Sequence, residues 1–322
     1  MATTEEWTPD KAWLEAVAQE ELDEVLQMQD WRSWFSLLID WGLVAAAMAL
    51  VAVRPNPLTI IVSLFIIGAR QLGLTVLMHE AAHWSLLSDK GTNDWVANWL
   101  CAYPAWADLR PYRAYHLQHH AKNWTEDDPD IALASPFPIT RASMRRKVWR
   151  DLSGQTGWKR AKVTLRRDLG DAGKQGGRLS MSEMSRRQGD GASALVGMLV
   201  TNSVLFLILA ALGHPTLYLL WAGAWITTYS LVMRIRAIAE HSMPRDRADH
   251  MTNTRTTVAS WWERLFLAPN RVNYHLEHHL LVAVPHYKLP AMHRMLGRAG
   301  LLENASVAPG YFDVLRLASS KT

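Results

Sequence analysis

Nine of the chain's thirteen histidines fall into three short clusters and one isolated position. They are His79 and His83 in HEAAH, His116, His119 and His120 in HLQHH, His275, His278 and His279 in HLEHH, and the isolated His241. On a helix, residues three or four positions apart share one face, so each cluster can aim two or three imidazoles at a common point. Histidine is the commonest metal ligand, and its neutral ring suits iron, zinc, copper and nickel. We therefore predict that all nine histidines bind metal.

The number and type of these residues indicate what they hold. The chain has one cysteine, Cys101, which excludes a cysteine-based zinc or iron–sulfur site and any intrachain disulfide. Nine imidazoles exceed the capacity of one metal ion and suit two, with positions left open for oxygen or water. The other four histidines, His214, His250, His286 and His293, lack this spacing and are interpreted as ordinary polar residues.

Carboxylates accompany each group of histidines. Glu80, Glu240 and Glu277 each adjoin a cluster histidine, and Asp128 follows the second cluster closely. Such carboxylates are candidates to accept the second ring N–H of a ligating histidine, which fixes the orientation of the ring. A solvated acid or a helix-capping residue is the alternative at each position. We predict no catalytic residue beyond the metal ligands.

The elements that position these residues are apolar helices. Four runs, at about 33–53, 57–78, 194–213 and 216–235, are almost free of charge and long enough to cross a membrane. Buried helices of a soluble protein are the alternative, but those are usually shorter and amphipathic. Arg70 is the one charge in the second run, and Asp40 in the first run is its expected partner.

The connections predict the topology. Short turns join each pair of spans, so the loop at 84–193 and both termini are expected on the opposite face. Residues 141–187 carry 14 Lys and Arg against 4 Asp and Glu, which places that face in the cytoplasm. All nine histidines then share the cytoplasmic side. The part of the loop from Gly154 to Gly191 has little apolar periodicity and is predicted to be a mobile surface region.

The predicted fold is therefore an all-α integral membrane protein, with four transmembrane helices in two hairpins and a helical cytoplasmic cap that carries the metal site. We divide the chain into an acidic N-terminal segment at 1–30, a membrane domain at 31–296 and a C-terminal tail at 297–322. The N-terminal segment has nine Asp and Glu, one Lys and no apolar core, so it is not expected to be a signal peptide. The expected location is a bacterial inner membrane.

These motifs resemble the membrane fatty acid desaturase superfamily, closest to its bacterial acyl-lipid type. The resemblance covers roughly residues 40–296. It includes the three histidine boxes, the acidic NWTEDDPD segment at 123–130, the segment at 236–241, and NYHLEHH at 273–279 with its tail at 284–290 and His293. The motifs are specific for the superfamily, which also contains hydroxylases, carotenoid ketolases and alkane monooxygenases, and they say little about substrate.

The resemblance implies a non-haem di-iron centre that uses dioxygen to desaturate a long-chain lipid or fatty acyl substrate. A lipid hydroxylase, ketolase or alkane-type monooxygenase on the same scaffold is the alternative, and a membrane divalent-metal transporter is a remote one. The sequence shows no haem-binding, rubredoxin or nucleotide-binding motif. Electrons are therefore expected from a separate ferredoxin, rubredoxin or cytochrome, and no motif supports binding to nucleic acid.

Overall fold

The chain is mostly helical in a computed structural model that describes residues 12–168 and 191–321. The α-helices are α1 (Gln19–Leu26), α2 (Asp30–Val53), α3 (Pro57–Ala82), α4 (Lys90–Val96), α5 (Leu109–Lys122), α6 (Ile131–Ala134), α7 (Arg141–Leu152), α8 (Gln155–Asp168), α9 (Gly191–Ala211), α10 (Tyr218–Ile226), α11 (Thr228–His241), α12 (Trp261–Phe266), α13 (His275–Leu280), α14 (Leu289–Arg298) and α15 (Tyr311–Ala318). Short 3-10 helices lie at Ala12–Ala16, Tyr103–Ala105, Pro215–Leu217, Pro269–Arg271 and His286–Lys288, and a π-helical segment lies at Ala97–Ala102. Strands β1 (Thr256–Thr257) and β2 (Val307–Ala308) pair in parallel.

Four helical segments are long and apolar enough to cross a membrane: Asp30–Val53, Pro57–Ala82, Ala192–Ala211 and Pro215–His241. This finding confirms the prediction of an all-α protein with four spans. The second and fourth segments run several residues beyond the apolar runs in the sequence. Their last turns carry histidines and charged residues, so a prediction from apolar residues alone ends the span before the helix ends. The helix continues because its last turns pack against neighbouring helices.

The first hairpin, α2 and α3, is held by a turn cap and a buried ion pair. Asn56 caps α3, accepting hydrogen bonds from the amides of Leu58 and Thr59 at 3.0 and 3.1 Å. Deeper in the bundle, Arg70 donates to Asp40 at 3.0 Å, and both side chains are buried. The predicted pairing of these two residues is therefore confirmed. It satisfies a charge that would be costly alone in a membrane.

The fourth segment is broken at Thr227, where the backbone leaves helical geometry with φ −108° and ψ −86°. Arg160 of α8 bridges the break, donating to the carbonyl oxygen of Trp225 and to the hydroxyl of Ser230. Such side-chain donors satisfy the carbonyls that a broken helix frees. Residues 155–168 are thus a packed helix, and the prediction of a mobile region there is wrong. The rest of that region, at 169–190, lies outside the described residues, as do residues 1–11 of the acidic N-terminal segment.

Candidate metal centre

Four helices bring the nine clustered histidines together. His79 lies in the last turn of α3, and His83 caps the same helix. Helix α5 carries His116, His119 and His120, the last residue of α11 is His241, and α13 carries His275, His278 and His279. Six of these residues are buried and the other three are partly buried. The sequence separates these clusters by up to about two hundred residues, and the fold places them at one end of the spans.

The histidines form two adjoining groups. In the first group, each residue offers a ring nitrogen and these nitrogens lie within 4.8 Å of one another: His79, His83, His116, His120 and His278. The second group contains His119, His241 and His279, whose ring nitrogens also lie within 4.8 Å of one another. His275 lies equally close to His241 and Glu240, so we include it in this group. We call these the five-histidine group and the four-histidine group. The stacked rings of His120 and His279, with centroids 4.1 Å apart, join the two.

The division between groups follows from helix geometry. Successive residues turn by 100°, so the third and fourth residues after a histidine lie about 60° to one side of it and about 40° to the other. In α5, His120 faces the five-histidine group with His116, while His119 faces the four-histidine group. In α13, His275 and His279 face the four-histidine group, while His278 faces the five-histidine group. Each cluster therefore aims two imidazoles at one group, as expected, and the third histidine of the second and third clusters faces the other group.

The ring nitrogens face one another at short range. The Nε2 atoms of His116 and His120 are 2.9 Å apart, and those of His241 and His275 are 2.7 Å apart. Other nitrogens have no hydrogen-bond partner among the described residues although they are buried: Nε2 of His79, His119 and His279, Nδ1 of His241 and His278, and both nitrogens of His83. Buried polar atoms are nearly always paired. This donor set therefore fits metal ions, because each lone pair would then have a partner.

The protonation of the rings favours the same use. Burial lowers the pKa of His83 to about 3. Burial, together with neighbouring imidazoles, also holds the pKa well below its ordinary value in His116, His120, His275, His278 and His279. Rings with such pKa values are neutral at pH 7 and keep a free lone pair. Metal binding requires this neutral form.

Three of the four predicted carboxylates lie against a cluster histidine. Asp128 is 2.8 Å from Nδ1 of His119, and Glu80 is 3.2 Å from Nδ1 of His79. Glu240 is 3.7 Å from Nε2 of His275 and accepts a 2.6 Å hydrogen bond from Arg236. Burial alone would lower the pKa of His119, but the carboxylates of Asp128 and Asp130 raise this pKa above its ordinary value. A carboxylate at Nδ1 leaves Nε2 of that ring free to face a metal.

Glu277 differs from the other three carboxylates. Its oxygens contact His293, at 2.5 Å from Nδ1, and the hydroxyl of Thr256. Two residues along a helix correspond to a turn of about 200°, so this side chain points away from the face that carries His275. Helix α13 is therefore tied by Glu277 to α14 and β1, and the carboxylate makes no hydrogen bond to any of the nine histidines in the described structure.

Sequence reasoning missed two histidines that support the site. His293 holds Glu277, and the backbone amide of His286 donates to Glu80 at 2.8 Å. The Nε2 atom of His286 lies 2.9 Å from the hydroxyl of Ser36 in α2. Neither residue has helical spacing to a cluster. The only sequence signal for them was the resemblance of the segment after the third box to its counterpart in desaturases.

A cavity of about 250 Å³ opens beside the two groups. One wall is formed by four of the histidines: His116, His119, His241 and His275. Apolar side chains also line it: Ile131, Leu133, Ala134, Met233 and Ala237. The remaining lining residues are polar or aromatic: Tyr112, Tyr115, Asn123, Trp124, Asp128, Asp130, Arg236 and Glu240. The cavity therefore has space for an apolar group directly against the histidine rings.

Comparisons with known proteins agree with this geometry. The chain is 27% identical over 237 residues to the dihydrorhizobitoxine desaturase of Bradyrhizobium elkanii, covering 70% of this chain and 64% of that protein. It is 24% identical over 310 residues to the chloroplastic omega-6 fatty acid desaturase of Brassica napus, covering 89% of this chain and 65% of the relative. It is 22% identical over 286 residues to the sn-1 oleoyl-lipid 12-desaturase of a Picosynechococcus strain, covering 82% and 76%.

The chain thus spans just under two thirds of the length of the first two relatives. The family described as fatty acid desaturase matches residues 55–307, a range that contains all nine clustered histidines and most of the chain. The match confirms the resemblance seen in the histidine boxes. This membrane protein belongs to the fatty acid desaturase family.

Proposed function

We propose that this protein is an oxygen-dependent desaturase of a long-chain lipid or fatty acyl substrate. The observation that carries the proposal is the pair of adjoining histidine groups, in which several buried nitrogens lack partners, beside a cavity with apolar lining residues. Family membership supports the same class of reaction. Two of the relatives are named for fatty acid or lipid desaturation, and one is named for dihydrorhizobitoxine.

Each histidine group would hold one iron ion, the five-histidine group through more nitrogens than the other. Bound iron supplies the redox chemistry with dioxygen that no amino-acid side chain provides and that zinc lacks. The protein's residues hold and orient the ligands: Asp128 and Glu80 fix the rings of His119 and His79 through Nδ1. Arg236 holds Glu240 beside His275, so this carboxylate is positioned at the four-histidine group.

The cavity would place one stretch of the substrate chain against the site. Its apolar lining residues, which include Ile131 and Met233, can hold methylene groups, and four of the histidines line the same cavity. Close packing around the reacting atoms positions them and excludes water from the reaction. Desaturation removes two hydrogens from neighbouring carbons, and both atoms of dioxygen leave as water once external electrons and protons are supplied.

The electrons would come from a separate ferredoxin, rubredoxin or cytochrome. The end of the spans that carries the histidines would face the cytoplasm of a bacterial inner membrane, in line with the net positive charge of residues 141–187. A tag beside Asn56 and a reporter at the C-terminus test this orientation. The proposal expects the tag outside and the reporter inside, and a C-terminal reporter on the outer face would contradict it.

Metal analysis of the purified protein tests the site directly. We expect two iron ions per chain, and fewer in the His119→Ala and His278→Ala variants, which remove one ligand from each group. His214→Ala is the matched control, because this histidine is exposed in the turn between α9 and α10. A purified, active protein with one ion or none would contradict the proposal. Zinc found in place of iron in an inactive preparation would be a substitute for the native metal, since zinc has no redox chemistry.

Labelled dioxygen tests the reaction. Membranes that contain the protein would receive a reductant, the labelled gas and a mixture of lipids, with the His119→Ala variant as the inactive control. We expect the label in water and a new double bond in the lipid. Label in the lipid would instead indicate the alternative, a hydroxylase or ketolase on the same metal site. Oxygen consumption equal to that of the variant with every lipid tested, despite intact iron, would exclude both outcomes.

A further inference from the structure

A second large groove, of about 570 Å³, lies where α2, α12 and two 3-10 turns meet. The turns are Pro269–Arg271 and His286–Lys288. The groove shares no lining residue with the cavity beside the histidines. It is therefore a separate site, with its own shape and charge.

Three arginines in the groove have no anionic partner. Arg32, Arg264 and Arg271 line it, and within residues 12–168 and 191–321 none of the three has a carboxylate within ion-pair distance. The fourth arginine of the lining, Arg70, is neutralised by Asp40. No aspartate or glutamate lines the groove. The groove thus carries a net charge of three positive units at neutral pH, which favours an anionic occupant.

Arg32 is held against the groove wall by aromatic side chains. The guanidinium of Arg32 lies 5.2 Å from the ring of Trp31 and 5.6 Å from that of Tyr287, and its buried Nε has no acceptor among the described residues. These cation–π contacts restrict the side chain on the groove wall. A buried donor without an acceptor is uncommon and indicates a missing partner.

Arg271 is fixed through the backbone. It and Asn270 both adopt left-handed conformations, with φ of 62° and 51°, which are uncommon for an arginine and more readily adopted by an asparagine. The turn is held by Asn270, whose side-chain amide donates to Asp40 at 2.7 Å and to the carbonyl oxygen of Gly73 at 2.9 Å. Because Asp40 and Gly73 lie in the hairpin of α2 and α3, the core of the bundle positions the backbone turn that carries Arg271.

The groove continues into the apolar surface of the first span. Phe35 and Ile39 of α2 line it and are exposed, and Trp31 and Trp261 at its rim are 63% and 72% exposed. Exposed tryptophans at the end of a span lie at the level of the lipid headgroups. A lipid in the groove can therefore place its phosphate against the arginines and its chains along Phe35 and Ile39.

We propose that this groove binds a phospholipid with a net negative headgroup from the surrounding bilayer. The phosphate would contact Arg32, Arg264 and Arg271. A zwitterionic headgroup fits less well, because its ammonium group would find no carboxylate in the lining. The proposal does not depend on oxygen chemistry, and it assigns a lipid site distinct from the cavity beside the histidines.

Lipid binding to the delipidated full-length protein tests this proposal. Native mass spectrometry in detergent would compare phosphatidylglycerol with phosphatidylcholine of the same acyl chains. We expect preferential binding of phosphatidylglycerol, and about 100-fold weaker binding in Arg32→Gln/Arg264→Gln/Arg271→Gln, because each arginine near an anionic headgroup contributes about fivefold. The matched control, Arg141→Gln/Arg145→Gln/Arg150→Gln, makes the same charge change on exposed positions of α7 and should bind normally.

Several results would overturn the proposal. They are equal binding of the two lipids by wild type, or equal loss of phosphatidylglycerol binding in the control triple variant. Slower reduction by an acidic electron-transfer protein with unchanged lipid binding would show a protein docking surface instead. If the triple variant does not fold, Arg264→Gln alone decides, since this residue is exposed and should lose about fivefold. Binding is measured without turnover, so an inactive protein that still selects phosphatidylglycerol would contradict only the proposed desaturation.

Discussion

Replacing Asp128 by asparagine isolates what the buried carboxylates do for the metal centre. The carboxylate of Asp128 is 3% exposed and accepts three hydrogen bonds. They come from Nδ1 of His119 at 2.8 Å, from the amide of Asp130 at 2.9 Å and from the amide of Trp124 at 3.0 Å. The first two donors share one carboxylate oxygen, and the third uses the other. Asparagine preserves the size of the side chain but has only one acceptor oxygen.

The geometry gives the expected magnitude. If the asparagine oxygen faces His119 and Asp130, its amide group faces the amide N–H of Trp124, donor against donor. A buried donor left without an acceptor costs about 1–3 kcal/mol of stability. The bond to His119 also loses its ionic character, and loss of such a carboxylate partner typically weakens metal binding by about 10–100-fold. We expect the weakening at the four-histidine group, because the free Nε2 of His119 faces that group.

The assay is a titration of the metal-free protein with ferrous iron in competition with a chelator, under nitrogen. Wild type should show two binding steps, and Asp128→Asn should weaken one of them and leave the other close to normal. Asp127→Asn is the matched control, since it makes the same change one residue away at an exposed position. Wild-type affinity in Asp128→Asn, or equal weakening in Asp127→Asn, would refute the role assigned to this carboxylate.

Three further predictions concern the bundle and the protonation of the site. Gly68→Ala should lower stability by about 1–3 kcal/mol in thermal unfolding, because the new methyl group would lie 2.3 Å from the hydroxyl of Thr228 in α11. The control, Gly42→Ala, should be tolerated, because its methyl group would meet nothing within 4 Å. Arg70→Met should cost about 3–5 kcal/mol by leaving the buried charge of Asp40 unpaired, and a thermal midpoint equal to that of wild type would contradict this. Folding lowers the pKa of His83 from 6.5 to about 3. Between these two pH values, His83 is protonated in the unfolded protein and neutral in the folded protein. The metal-free protein should therefore lose stability as pH falls below about 6.5, and a thermal midpoint that stays constant from pH 7.5 to 5 would be evidence against this.

Local signals in the sequence were enough to predict the spans and to single out the histidines that the fold brings together. A run such as that at 57–78 is apolar over the length of a membrane, and no contact with another element is needed to recognise it. The spacing of His116, His119 and His120 is also local, because it depends only on the pitch of one helix. The pairing of Arg70 with Asp40 could be inferred because a lone charge inside a span needs a partner.

Long-range contacts could not be read from the sequence in this way. His286 donates to Glu80, which lies 206 residues earlier, and no repeat or spacing relates the two positions. Glu277 adjoins His278 in sequence, but the helix turns its carboxylate toward His293. In helix α8, Arg160 contacts the break in the fourth span, and Gly157 packs against the backbone of Ile226 beside it.

The two histidine groups depend on the surrounding helices in different ways. Helix α5 contributes two histidines to the five-histidine group and one to the other, and α13 contributes one and two. Displacement of either helix would therefore remove ligands from both groups at once. Helix α3 contributes only to the five-histidine group, and α11 contributes its last residue, His241, only to the four-histidine group. Because α11 also carries the paired Arg236 and Glu240 and follows the break at Thr227, a change in that break would act on the four-histidine group first. Helices α5 and α13 thus couple the two histidine groups, while each group is also anchored to a different span.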